Sequence, residues 1–231
     1  MVGGDTDHGG NNPIYFIDPD GNTVEVSGVD RDKFLARINS TASVQFKYND
    51  KNQLVAVDSK ATADDVFTSS LLGAIGNKQT IGLRLVNDDE LFVDEFTNGK
   101  VDVGDLLGMG NEMFQTNLLH VVTERIETPD YEKNKNSTDE SVYDKAHDKA
   151  LKKEEAFMKE KHPGANIKYK SDDFDEKSRT TNKAGQKTIN CVFDFGGVQQ
   201  IYTHPINKKG EIRDGIIKSS QIRVVPNKKK K

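Results

Sequence analysis

The sequence predicts an α+β fold, and three observations carry that prediction. Apolar and polar residues alternate with a period of two near both ends of the chain, most clearly in "SVQFKYNDKNQLVAVD" and "TINCVFDFGGVQQIYTH". Between those ends, residues 111–127 and 141–161 place apolar side chains three and four positions apart, the spacing of one helix face. No internal repeat is visible, so the expected order is strands, a helical centre, then strands, in one domain over residues 23–227.

Taken in order, "IYFIDPDGNTVEV" predicts a short strand, a turn at Asp18-Pro19-Asp20-Gly21 and a second strand. Residues 30–40 predict a helix, with Phe34, Leu35 and Ile38 behind an aspartate cap. A hairpin comes next around Asn49-Asp50-Lys51-Asn52, then a helix over "TADDVFTSSLLGAIGN" with Thr62 as its N-cap. "QTIGLRLV" and "ELFVDEF" read as paired strands, and "NGKVDVGDLL" as a strand and a loop. Pro129 ends the helix at 111–127, and "HPG" ends the one at 141–161. The segment 170–187 is polar and reads as a mobile loop. A hairpin turning at Gly196-Gly197 and a last strand, "QIRVVP", complete the domain before the basic tail at 228–231.

Composition removes several classes of function. The 37 acidic and 33 basic residues leave a net charge of −4, which argues against nucleic acid as the partner. A single cysteine, Cys191, rules out an internal disulfide or a cysteine-rich zinc cluster, and its place in "INCVFDF" predicts a buried structural thiol. No apolar run approaches the roughly eighteen residues of a membrane span. The N-terminus lacks the charged-then-apolar order of a signal peptide. No phosphate-binding glycine motif and no G-x-S-x-G string is present.

The stretch "NLLHVVTERIE" concentrates the candidate chemistry. His120 and Glu124 stand four residues apart, with Glu127 three further on, so all three share a helix face. Apolar neighbours on both sides predict that His120 is at least partly buried, where an imidazole needs a partner. If this helix packs against the one at 141–161, His147 can join His120 and Glu124 in a set of two imidazoles and one carboxylate. That trio is a common ligand set of catalytic zinc (Zn2+), with a position left for water, and it also suits non-haem iron. Glu127 or Glu154 is then the candidate proton acceptor. The competing explanations are structural: an i,i+4 His–Glu pair stabilises a helix, and His147 lies among lysines and aspartates. His162 is expected to cap a helix end.

Two resemblances add to these readings. "NNPIYFIDPDGN", through Asn11, Asn12, Pro13, Ile17, Asp18, Pro19, Asp20 and Gly21, resembles the string that closes the core of Rhs (rearrangement hotspot) proteins before a variable C-terminal toxin. The likeness makes residues 1–22 the end of an Rhs core and implies that the chain beyond residue 22 is a polymorphic toxin domain. It further implies synthesis in a bacterial cytoplasm and leaderless delivery by a type VI or related contractile apparatus into a competing cell. A cognate immunity protein and a target-cell protein substrate are the implied partners. The helix "LLHVVTE" succeeded by "YDKAH" is similar to helix pairs of metallopeptidase-like bacterial toxin domains, over some 40 residues. In H-E-x-x-H peptidase helices a glutamate comes directly after the first histidine, whereas here Val121 does. A metal-dependent hydrolase of peptidase type is therefore the leading expectation. A nuclease toxin using the lysine-rich end, and a non-enzymatic binding or cargo module, remain the alternatives.

Overall fold

A computed structural model describes residues 24–88, 91–137, 139–181, 185–212 and 219–225. The turn at 18–21, the Rhs-like string and the tail at 228–231 lie outside the described residues. The fold is α+β, as expected, with two sheets around a central helix pair.

The first sheet is mixed, in the order β2-β3-β1-β4-β6-β5. Its strands are β1 (Val24–Gly28), β2 (Phe46–Tyr48), β3 (Gln53–Ala56), β4 (Ile81–Val86), β5 (Asp94–Glu95) and β6 (Lys100–Asp102). Period-two alternation sends Val24, Val26, Ile81, Leu83 and Leu85 into the core and leaves Glu25, Ser27 and Arg84 on the other face. β1 runs parallel to β4, and β4 to β6, so "QTIGLRLV" pairs with these strands and not with "ELFVDEF" as expected. The reason lies at Val93, whose φ of 59° breaks the extended chain and leaves only Asp94 and Glu95 to pair with β6. Gly28 closes β1 at φ 97°, where a Cβ would stand 2.0 Å from the Leu85 carbonyl oxygen.

Helices α1 (Arg31–Thr41), α2 (Val66–Ile75) and α3 (Val103–Gly108) accompany this sheet. α2 starts later than expected: Asp65, not Thr62, is the N-cap, its carboxylate accepting from the Thr68 amide at 2.7 Å. The stretch expected as a loop after β6 is α3, capped by Asp102 through the Asp105 amide.

α4 (Asn111–Glu127) and α6 (Glu140–Lys161) span the two central segments, with the short α5 (Tyr131–Asn134) between them. α4 is buried on almost every side, against α2, α3, α6 and both sheets. Phe114 anchors it, with ring centroids 6.2 Å from Phe34 and 6.4 Å from Phe67. Burying each of these rings contributes about 2–3 kcal/mol. Two of its buried polar residues find partners across the core: Gln115 donates to the Thr41 carbonyl, and Asn117 accepts from the Tyr202 hydroxyl at 3.1 Å.

The second sheet is antiparallel, β10-β9-β8-β7, built from β7 (Ser171–Thr181), β8 (Lys187–Asp194), β9 (Val198–Pro205) and β10 (Ser219–Val224). The β8–β9 hairpin turns where expected, with Gly196 at φ 79°. β7 occupies part of the segment expected as a loop. It is an edge strand, exposed along its length, so its composition suits solvent and not a core. Among the described residues no helix is long and apolar enough to cross a membrane.

Candidate metal centre

The site is formed where α4 and α6 pack side by side in opposite directions. Three pairs mark their course: Glu112 with His162, His120 with Glu154, and Glu124 with His147. Asp139 sets the start of α6 by accepting from the Ser141 amide, and His162 ends it. Thr128 closes α4, its amide and hydroxyl both donating to the Glu124 carbonyl. The helix ends, and with them the ligand positions, are thus held by local chemistry.

His120, Glu124 and His147 come together as the spacing suggested. One oxygen, Glu124 Oε1, lies 2.9 Å from His120 Nε2 and 2.6 Å from His147 Nδ1. One donor atom from each residue lies within 4.8 Å of the other two, an arrangement that could hold a metal ion. The imidazoles meet edge to face at 5.0 Å. The donor chemistry fits a borderline divalent metal: two neutral imidazole nitrogens and a carboxylate, all compatible with zinc. The Glu124–imidazole distances are shorter than the roughly 3.3 Å between ligands of a tetrahedral zinc ion. Opening by about 0.4 Å toward His120 and about 0.7 Å toward His147 would admit one. The Glu124 side chain is 3% exposed and that of His147 35%, so the cluster is reached from the α6 side.

The electrostatics arise from this contact. Burial alone would raise the Glu124 carboxyl, but hydrogen bonds and charge from His120 and His147 outweigh it and hold the group down at about 2. Burial disfavours the His120 imidazolium, yet the charge of Glu154 and its bonds to Glu124 and Glu154 lift it well above its ordinary value. The contact with Glu124 and Glu154 thus favours the charged form of the His120 imidazole.

The two glutamates expected as proton acceptors take different places. Glu154, its side chain 6% exposed, bonds to Nδ1 of His120, the nitrogen away from Glu124. Glu127 is half-buried one turn beyond Glu124 and is bound by the Lys149 ammonium. Val121, at the position where peptidase helices carry their glutamate, is 1% exposed in the core. His162 caps α6 and reaches Glu112 on α4 at 2.8 Å. His204 is buried on β9 against the Phe92 and Phe174 rings. Cys191 is buried, and burial pushes its thiol up to about 11.

Three further residues shape the site without standing out in the sequence. Arg125, fully buried beside Glu124, donates to the Gly82 carbonyl at 2.9 Å, the Lys100 carbonyl at 3.1 Å and Asp94 Oδ2 at 3.0 Å, tying α4 to β4, β5 and β6. An arginine inside an otherwise buried helix was the available signal. Burial raises the Asp94 carboxyl despite the opposing Arg125 charge. Tyr143 stacks on His147 with centroids 5.4 Å apart and planes at 24°; its place four residues before that histidine was the signal.

No family model, curated protein or solved structure matches the chain.

Proposed function

We propose that this chain carries a metal-dependent hydrolase domain of peptidase type, the toxic end of an Rhs-associated effector. The observation that carries the hydrolase reading is the convergence of His120 Nε2, His147 Nδ1 and Glu124 on one point between two helices. His120, Glu124 and His147 would hold the metal, with zinc the best match to their chemistry. Such an ion supplies an activated water and a Lewis acid for a polarised carbonyl. Glu154 accepts from His120 Nδ1 and so presents Nε2, with its lone pair, to the centre. Glu127, on the same stripe of α4 and held by Lys149, is the carboxylate available to take a proton from water. The toxin class, its contractile delivery and its immunity partner rest on the Rhs-like residues 11–21.

A second reading is a non-enzymatic module, favoured by the hydrogen bonds that Glu124 makes to both imidazoles. Metal content separates the two. Near-stoichiometric zinc in purified protein, lost in His120→Ala, supports the hydrolase. No bound metal and no affinity for zinc, manganese or iron would leave the helix pair as scaffold. Growth inhibition by the domain expressed in a bacterial cytoplasm, abolished by Glu127→Gln with metal content unchanged, tests the catalytic assignment.

A further inference from the structure

Beside the cluster lies a cavity of about 470 Å3, within the roughly 300–1,000 Å3 range of ligand pockets. Phe96, Val142 and Tyr143 form its apolar wall. Tyr143 belongs to both places. One side of its ring stacks on His147, with its hydroxyl 3.5 Å from the Nδ1 that faces Glu124. Its edge meets Phe96 at 5.1 Å and 73°. A group resting on Tyr143 in the cavity is therefore one ring away from the candidate ligands. Tyr143 is 39% exposed, an open aromatic surface at the mouth of the cavity.

The charges around the cavity restrict what enters it. Asp139 and Asp144 contribute carboxylates to the lining. Lys135, the one lysine in the lining among the described residues, donates to Glu132 at 2.6 Å. An acidic group would meet repulsion, while an uncharged apolar group would cover Phe96, Val142 and Tyr143.

We infer that the Phe96–Val142–Tyr143 cavity is the specificity pocket of the centre, taking an apolar, preferably aromatic, side chain of a polypeptide whose backbone lies against His120, Glu124 and His147. This assignment rests on the metal-hydrolase reading. It makes Val142 and Phe96 determinants of side-chain preference, separate from the groups that hold metal.

The test is calorimetric titration of the zinc-loaded protein with three hydroxamates: acetohydroxamate, the hydroxamate of N-acetylphenylalanine and that of N-acetylaspartate. Burying the phenyl group should tighten binding about ten- to a hundredfold over acetohydroxamate, and the aspartate form should gain nothing. Val142→Asp, at a half-buried helix position, should erase most of the phenyl advantage and leave acetohydroxamate unchanged. Phe96→Ala should reduce it with the same control. Equal binding of the phenylalanine and acetyl forms, or a phenyl advantage that survives both variants, would overturn the pocket while leaving the metal centre standing. Failure of the wild-type protein to bind zinc or acetohydroxamate at all would overturn the hydrolase reading and this assignment with it.

Discussion

Replacing Glu154 by glutamine should weaken zinc binding about tenfold without abolishing it. The carboxylate is nearly sealed from solvent and its partner is a ring nitrogen of His120, so the bond is charge-assisted in a poorly screened place. A charged hydrogen bond contributes about 1.5–3 kcal/mol and a neutral one about 0.5–1.5 kcal/mol. Glutamine keeps an acceptor oxygen at the same position, so the ring orientation survives and only the difference, about 1–1.5 kcal/mol, is lost. That corresponds to roughly a tenfold change in affinity. Glu154→Ala also strands a buried N–H, which adds about 1–3 kcal/mol and should bring the loss to a hundredfold or more. Zinc affinity is read by titration against a competing chelator, with circular dichroism confirming the fold of each variant. A Glu154→Gln protein that binds zinc within twofold of wild type would show that the carboxylate does not act through His120. A loss as complete as that of His120→Ala would refute the reasoning from the other side, since Glu154 would then be a ligand itself.

The same geometry sets other outcomes. Zinc at a hundred times its dissociation constant should stabilise the protein by about 2.7 kcal/mol and raise Tm by roughly 5–10 °C in a thermal scan, an effect absent in His147→Ala. Without metal, stability should be greatest between about pH 4.5 and 6.5. The Glu124 carboxyl, held near 2, contributes on the order of 3 kcal/mol above its unfolded value of 4.5, and this fades as pH falls toward 2. His120, raised when folded, contributes fully below its unfolded value of 6.5 and loses that contribution as pH rises through its folded value; urea melts across pH 2–9 read both limbs. Zinc binding should release protons, because His120 holds its proton more tightly than a free imidazole, and the release is measurable as a buffer-dependent enthalpy. Arg125→Met should cost about 3–5 kcal/mol in urea denaturation, because it leaves Asp94 and two or more carbonyls without their donor.

The helix pair was legible because its signals are local. Asn111–Glu127 matches the span expected from spacing and Pro129, and the His120–Glu124 relation comes from one helical turn. That His147 would face Glu124 required only the two helices to pack. The strand pairings were harder, because a parallel partner is chosen by crossover and not by adjacency; nothing in "QTIGLRLV" names β1 over "ELFVDEF". β7 was hidden for a different reason, since an edge strand takes its order from β8's backbone and carries no apolar alternation of its own. The placement of Glu154 behind His120 depends on helix register to within one residue. Glu154 and His147 are separated by two helical turns on α6, so a common face alone could not say which would meet His120 and which Glu124.

His120 and His147 are 27 positions apart, and α4, α5 and α6 succeed one another without an intervening strand. The ligand set therefore closes over a short stretch of chain, while the first sheet must bring β1 to β4 across more than fifty residues. Loop-closure entropy favours the shorter event, so docking of the two helices can precede the pairing of β1 with β4. An ion captured at that stage would join α4 to α6 before either sheet is complete. Were that contact formed in the folding transition state, metal would speed the assembly of the domain as well as stabilise it.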